Sequence, residues 1–339
     1  MFLRTSLISL SVSLGASVAF AEVPRVVTDM APIQSLVAQV MGELGEPSAL
    51  MPQGTSPHGY SLRPSEARAL QSADVVFWTG PQIEPWLEEM IEKVAPDAVS
   101  VPLALAEGTL ILETREGAHF EGHDHGEDDH DDHDDNHRDE GHDDHDDHDD
   151  HDDHDEHDDH EDDHAHDEAF DGHVWLDPMN GHAWLGVIAA ELSALDPENA
   201  ETYAQNATAA QAELEARVEA IAEQLTPISG LKFIVFHDAY QYFENRFGLT
   251  AEGALSLSDA TSPSPARLRE IQETIADYDV TCVFAEPQFN AGIVETVLDG
   301  TEANTTVIDP LGVGLEAGPG FYGALIDDMA KAFLSCQSE

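Results

Sequence analysis

Histidine is the residue this chain places most unevenly. Nineteen are present, and all but four fall between His119 and His166. The four outside are His58, His173, His182 and His237. Neutral imidazole is a preferred donor for borderline-soft divalent ions such as Zn²⁺, and three imidazoles with one open or carboxylate position make a usable shell. His58 lies in the turn-rich segment Gly54-Thr55-Ser56-Pro57-His58-Gly59-Tyr60. His173 follows Asp171-Gly172 and is expected to begin a short apolar strand, Val174-Trp175-Leu176. His237 directly follows Phe236 and precedes Asp238-Ala239-Tyr240. All three sit where a strand or its adjoining loop meets the next element, the loops that converge outside the carboxyl ends of strands in open α/β sheets. His182, between Gly181 and Ala183 near a helix start, reads as an ordinary surface or core residue. Taken singly, so does each of the others.

Two carboxylates occupy comparable strand ends. Glu286 follows Cys282-Val283-Phe284-Ala285, and Asp309 follows Val307-Ile308 and precedes Pro310-Leu311-Gly312. Each is open to three readings: a turn former (above all Asp309-Pro310), a fourth oxygen ligand, or a partner that orients a ligating imidazole. The two cysteines, Cys282 and Cys336, would form one disulfide in an oxidising compartment, stapling the C-terminal segment to a strand near position 282. Buried free thiols, or a metal site using both, are the alternatives. The His-Glu-x-x-His spacing occurs once, at His160-Glu161-Asp162-Asp163-His164, inside a run of acids and histidines with no apolar helical face, so it does not carry the signature of a helical zinc hydrolase.

The crowded histidines form a different kind of segment. From His119 to Glu168 the chain is almost wholly Asp, Glu and His, too poor in apolar side chains to offset the entropy of ordering. It is expected to be a disordered loop. Within it His142, His145, His148, His151, His154, His157 and His160 recur at every third residue between pairs of acids. That period matches polyproline II, where such side chains share an edge. Imidazoles alternating with carboxylates offer many weak, exchangeable sites for Zn²⁺, Cu²⁺ or Ni²⁺. The plainer reading is a solvated charge run.

Ordered elements must position the four outlying histidines. Strands are expected at Val26-Val27, Val75 to Trp78 and Val99 to Leu103, with helices over Pro32 to Val40, Pro64 to Gln71 and Glu84 to Val94. After the tract come a helix over Trp184 to Leu195 and a long one starting at Asp196 as N-cap with Pro197 behind it. Tyr203, Ala207, Ala210, Leu214, Val218, Ile221 and Leu225 keep one apolar face along the latter. The alternation then repeats: strands at Phe233 to Phe236, Val280 to Ala285 and Thr306 to Ile308, and helices over Ala239 to Phe247, Arg267 to Tyr278 and Tyr322 to Leu334. This predicts an α/β protein of two (β/α) lobes, each a mainly parallel sheet flanked by helices, joined by one long rigid helix. The divisions fall at residues 1–21 for a signal peptide, 22–195 for the first lobe with the loop 119–168 inserted, 196–226 for the linking helix, and 227–339 for the second lobe.

The N-terminus carries Arg4, an apolar run from Leu7 to Val18, and Ala19-Phe20-Ala21 as a cleavage site, which predicts export. The run is too short to span a bilayer. A net charge of −56 excludes nucleic acid as a natural partner, since phosphate contacts need Lys and Arg.

Four segments together are specific. Ser56-Pro57-His58-Gly59-Tyr60-Ser61-Leu62-Arg63-Pro64-Ser65, Asp171-Gly172-His173-Val174-Trp175-Leu176-Asp177-Pro178, Phe236-His237-Asp238-Ala239-Tyr240 and Phe284-Ala285-Glu286-Pro287-Gln288-Phe289 resemble, in order, those of the solute-binding proteins of high-affinity ABC zinc-uptake systems, within the cluster A-I metal-binding family. The resemblance spans Val26 to Cys336. It implies a periplasmic, non-enzymatic monomer that holds Zn²⁺ in a cleft between the lobes and passes it to an inner-membrane permease with a cytoplasmic ATPase, with a periplasmic zinc chaperone as a further partner. It implies His58, His173 and His237 as ligands, a bonded Cys282–Cys336 pair, and a metal-gathering role for the loop. A manganese and iron branch of the family has Glu where His237 stands. Some zinc relatives place Glu just before the first ligand, where this chain has Pro57, so the fourth position falls to water or to Asp309. An extracytoplasmic metal buffer without a transporter and a secreted zinc hydrolase are the competing functions.

Overall fold

The short valine-rich runs form strands and the periodic segments between them form helices. The computed structural model describes residues 23–115, 120, 170–256 and 263–337. Its first sheet contains β1 (Val26–Thr28), β2 (Ser48–Ala49), β3 (Val75–Trp78) and β4 (Val99–Pro102), all parallel, in the order β2-β1-β3-β4. Its second contains β5 (Phe233–His237), β6 (Gly253–Ser256), β7 (Cys282–Ala285) and β8 (Asn304–Val307), also parallel, in the order β6-β5-β7-β8. Counted within each sheet the order is the same: second, first, third, fourth. Each sheet thus has a switch point between its first and third strands, the place where α/β sheets open toward ligands.

Nine helices lie among the described residues: α1 (Ala31–Met41), α2 (Pro64–Gln71), α3 (Pro85–Val94), α4 (Pro178–Leu195), α5 (Ala200–Leu225), α6 (Gln241–Phe247), α7 (Pro265–Asp277), α8 (Ala291–Leu298) and α9 (Phe321–Gln337). Strand alternation decides which of them each sheet face meets. In β3, Val75 and Phe77 face one side and Val76 and Trp78 the other; in β5, Phe233 and Val235 oppose Ile234 and Phe236. The inner faces of both sheets join one continuous core with α1, α4, α5 and α9. The outer face of the first sheet is covered by Leu70 of α2 and Leu87 and Ile91 of α3. That of the second meets Ile271 and Ile275 of α7 and Val294 and Val297 of α8.

The long helix α5 runs about 39 Å at 1.5 Å per residue. Its apolar face, from Tyr203 to Leu225, is buried against α1, α4 and α9. It therefore sits inside the core shared by both lobes. No helix of the described residues is long and apolar enough to cross a membrane.

Three local expectations are corrected. Val174–Leu176 is a 3₁₀ turn rather than a strand, because all three apolar side chains are buried at once instead of alternating. Helix α4 then starts at Pro178, where the Asp177 carboxylate accepts from Met179 N at 2.8 Å. Asp196 does not cap α5, which begins at Ala200 after Asn199. The Asp196 carboxylate instead accepts from Asn199 Nδ2 and Tyr203 Oη at 2.7 and 2.9 Å. Strands β2 and β6 and helix α8 add to the expected elements. The expected signal peptide at 1–21 lies outside the described residues, as does the His/Asp tract of 119–168 apart from Phe120.

Cys282 of β7 and Cys336 of α9 form a disulfide, with their Cα atoms 5.9 Å apart and both residues buried. The bond closes a loop of more than fifty residues, so its main effect is to restrict the unfolded chain. Replacing both cysteines by serine is expected to lower unfolding stability by about 2–4 kcal/mol. Urea unfolding with and without the bond would measure this, and an unchanged midpoint would contradict it.

Candidate metal site

Strand parity places the first two polar groups of the site. His237 ends β5 two residues beyond Val235, so it shares the inward face, and Glu286 lies two beyond Phe284 on the neighbouring strand. With Ile234 opposite Val283, the same register sets His237 beside Glu286. The contact is made: His237 Nδ1 is 2.7 Å from Glu286 Oε1, and the His237 backbone N–H donates to the same oxygen at 3.3 Å. Both residues are buried.

His173 is held by the same device built from a loop. Asp171 Oδ1 accepts from the His173 backbone N at 3.0 Å and lies 2.7 Å from its Nδ1. One carboxylate therefore fixes both the backbone and the ring. The 3₁₀ turn that follows buries Trp175, whose ring centroid lies 5.3 Å from that of His173 and whose indole N–H donates to Pro310 O at 3.1 Å. His58 comes from the third direction, in the short 3₁₀ turn Pro57–Gly59. Ser56 Oγ accepts from His58 N at 3.3 Å, and Trp86 of α3 donates its indole N–H to Pro57 O at 2.9 Å. His58 is the partly exposed member of the three.

The three imidazoles converge. One nitrogen from each lies within 4.8 Å of the others, a grouping that contains no fourth side chain among the described residues. With Nδ1–H of His173 and His237 donating to carboxylates, the Nε2 lone pairs are left for a cation. His58 Nε2 and His173 Nε2 are 3.3 Å apart. Two nitrogens at about 2.0–2.1 Å from one tetrahedral ion stand about 3.3–3.4 Å from each other. The spacing of this pair is thus already that of two ligands on a shared ion. The surrounding cavity, walled also by Trp175, Gln288, Phe289, Pro310 and Leu311, encloses about 10 Å³. That is about the room one water-sized sphere needs, enough for an ion beside the three nitrogens.

The other polar groups support these three. The Asp309 carboxylate accepts from Leu311 N at 3.0 Å, Val313 N at 2.5 Å and Gln288 Nε2 at 2.9 Å. It builds the turn that its Asp-Pro sequence favours, and it is not among the converging groups. Glu286 orients His237. His182 faces α5 and pairs with Glu215 at 2.9 Å, away from the site. The tract histidines from His142 to His160 lie outside the described residues. Behind His237, Arg115 forms ion pairs with Asp238 and Glu244, the latter at 2.7 Å. Burial works against the Arg115 charge, but Glu244 and Asp238 outweigh it and raise its pKa above the ordinary value. Burial, then Glu286, pushes the Tyr240 hydroxyl far above its usual range, so it stays protonated beside the site.

Sequence reasoning gave Asp171 and Arg115 no role. Asp171 had a readable signal, a carboxylate two residues before a candidate ligand with glycine between. Arg115, at the edge of the tract, had none, because its partners are more than 120 residues away.

The model of the family described as "Zinc-uptake complex component A periplasmic" matches residues 26–336. A high-affinity zinc uptake system protein ZnuA of Brucella suis is 43% identical over 325 residues, covering 96% of this chain and 95% of that one. One of the same description from Paracoccus denitrificans is 43% identical over 337 residues, covering 98% of each. Among solved structures, one described as ZnuA aligns with a TM-score of 0.66 at 24% identity, over 91% of this chain and 99% of that one. The solute-binding protein FpvC of Pseudomonas aeruginosa, in complex with Mn²⁺, aligns with a TM-score of 0.69 at 21% identity, over 93% and 99%. These structures share the fold.

The two carboxylates that hold imidazole N–H groups supply a test. Asp171→Asn and Glu286→Gln are each expected to weaken divalent-ion affinity by about 10–100-fold without unfolding the protein. Chelator-competition titration, with circular dichroism as the fold control, would read this, and wild-type affinity in both variants would refute the orienting role.

Proposed function

This chain belongs to the family of periplasmic component A proteins of zinc-uptake complexes, and on that premise we propose that His58, His173 and His237 are the ligands that take up its Zn²⁺. It is a periplasmic zinc-binding protein of an ABC system for zinc uptake, and the ion is its cargo. The observation that carries the ligand assignment is the convergence of three imidazole nitrogens on one small cavity, two of them at the separation a tetrahedral ion requires. Water completes the shell. Asp309, the other claimant, already accepts three hydrogen bonds from its own turn and from Gln288.

The mature protein is exported by cleavage after Ala21 and delivers Zn²⁺ to an inner-membrane permease driven by a cytoplasmic ATPase. The Arg4, Leu7–Val18 and Ala19-Phe20-Ala21 pattern supports the first step, and family membership the second. A zinc hydrolase would share a three-imidazole shell with bound water, but it would also need a general base and room for a substrate. Here the two acids bonded to the ring nitrogens, Asp171 and Glu286, each hold an imidazole N–H, which favours sequestration over catalysis.

Replacing His237 by Ala is expected to reduce affinity at the tight site by more than the 10–100-fold lost with an outer partner. Competition against a chromophoric chelator would measure it, and a tight site of unchanged affinity would sink the assignment. The His/Asp tract serves as an auxiliary collector, as its three-residue histidine period suggests. Deleting residues 119–168 should lower the total Zn²⁺ bound per chain at equilibrium dialysis while the His237-dependent site keeps its affinity. An undiminished total would remove the tract from metal capture.

A further inference from the structure

The wall of the metal site contains a contact between lobes that the ligand geometry does not explain. Gln53 lies five residues before His58, in the same loop after β2. Its side-chain amide donates to Gly312 O at 2.5 Å and to Leu315 O at 2.8 Å, backbone carbonyls more than 250 residues away in the second lobe. An amide nitrogen carries two hydrogens, and these two carbonyls are its near acceptors, with Val313 O farther off at 3.5 Å. Gly54 continues the contact. It has φ +76°, and a Cβ there would lie 2.5 Å from Val313 Cγ2, so the loop approaches the opposite turn as closely as a backbone can.

The turn that receives Gln53 also forms part of the cavity. Pro310 and Leu311 line it directly before Gly312. The turn is fastened at its base by Asp309, and from the His173 side by the Trp175 indole on Pro310 O. Within the first lobe the His58 loop is held by Trp86 on Pro57 O. Gln53 joins the two fastened pieces. It spans from the loop of the most exposed ligand to the turn that closes the opposite wall.

We propose that Gln53 is a positioning residue for metal exchange, an amide clasp that holds the His58 loop against the Asp309–Leu315 turn and so sets how fast bound Zn²⁺ leaves. The reasoning rests on the three-histidine reading of the site. His173 and His237 are buried and bonded to buried carboxylates, so His58 is the ligand whose movement opens the shell at least cost. Its movement away from the second lobe must break both amide–carbonyl bonds. Two such bonds slow dissociation by about 5–150-fold at the usual net strength of a protein hydrogen bond. The same opening admits the ion, so the clasp slows entry as well as exit and acts on the rate of exchange rather than on affinity.

The test uses the full chain loaded with one equivalent of Zn²⁺ and mixed in a stopped-flow instrument with excess chromophoric chelator. Wild type, Gln53→Ala, Gln53→Glu and His173→Ala are compared, with urea unfolding of the metal-free proteins as the control on folding. Gln53→Ala should speed the slow release phase by about 5–150-fold with unchanged Zn²⁺ stoichiometry and a still cooperative unfolding transition. Gln53→Glu, which sets a carboxylate against two carbonyl oxygens, should release at least as fast. His173→Ala should abolish the slow phase. If the slow phase persists in His173→Ala, the three-histidine site itself is wrong. If it disappears there but stays within twofold of wild type in Gln53→Ala, the site stands and the clasp is overturned.

Discussion

The site depends on two buried bonds between an imidazole N–H and a carboxylate, Asp171 to His173 and Glu286 to His237. A neutral imidazole has one donor and one acceptor nitrogen, and which is which follows from the partner of the donor. Each carboxylate also takes the backbone N–H of the same histidine, so ring orientation and main-chain position are set together. The cost of burying Asp171 and Glu286 is offset by these donors and, in the loaded protein, by the cation beyond the ring. Without them the two deep imidazoles could rotate or adopt the other tautomer, and their lone pairs would no longer meet.

The two sheets use the same strand order but treat their switch points differently. In the second sheet the point between β5 and β7 carries His237 and Glu286 and opens on the cavity. In the first, the point between β1 and β3 is filled by Asp29, which accepts from Thr79 N and Oγ1, both at 2.6 Å, and from Met30 N at 2.6 Å. Glu84, also fully buried, lies beside it. Burial, then the Asp29 charge, pushes the Glu84 carboxyl well above the ordinary carboxylate range. One switch point is thus closed by a carboxyl pair, and the other is available for a ligand. The first lobe contributes His58 from the loop after β2 instead.

Much of this was legible in the sequence because the relevant signals were local. Val75 to Trp78 and Pro64 to Gln71 are observed with the expected bounds, since a buried four-residue run and a Pro-initiated helix each carry their own limits. His237 was placed at a strand end by the apolar run before it. What failed depended on neighbours distant in the chain. Val174-Trp175-Leu176 is as apolar as a strand, yet it turns because the core surrounds it on every side and His173 is pinned by Asp171. Asp196-Pro197 reads as a helix start, but Tyr203 recruits the carboxylate. Helix α8, rich in β-branched residues, has weak intrinsic propensity and forms against the second sheet, with Asn290 capping Gly292 N at 3.0 Å. At Asp309 a turn and a ligand ask for the same residue type, so its local sequence leaves both readings open.

The continuity of the core constrains how such a site can work. Inner-face residues of both sheets and the helices α1, α4, α5 and α9 belong to one buried cluster. Ser35 of α1 donates to Pro319 O at 2.9 Å and accepts from Tyr322 N at 3.0 Å, so the C-terminal helix is fixed to the first lobe as well as to β8. Large relative motions are expected of lobes joined by small polar interfaces. These lobes share a large apolar one, and swinging them apart would expose it. Metal entry and exit must then be governed by loops at the rim. Of the three segments whose imidazoles converge, those of His173 and His237 are buried in that core, while the His58 loop lies over it and is partly exposed. The asymmetry follows from the fold: two imidazoles are buried in the shared core, and the third is carried on a loop at its rim.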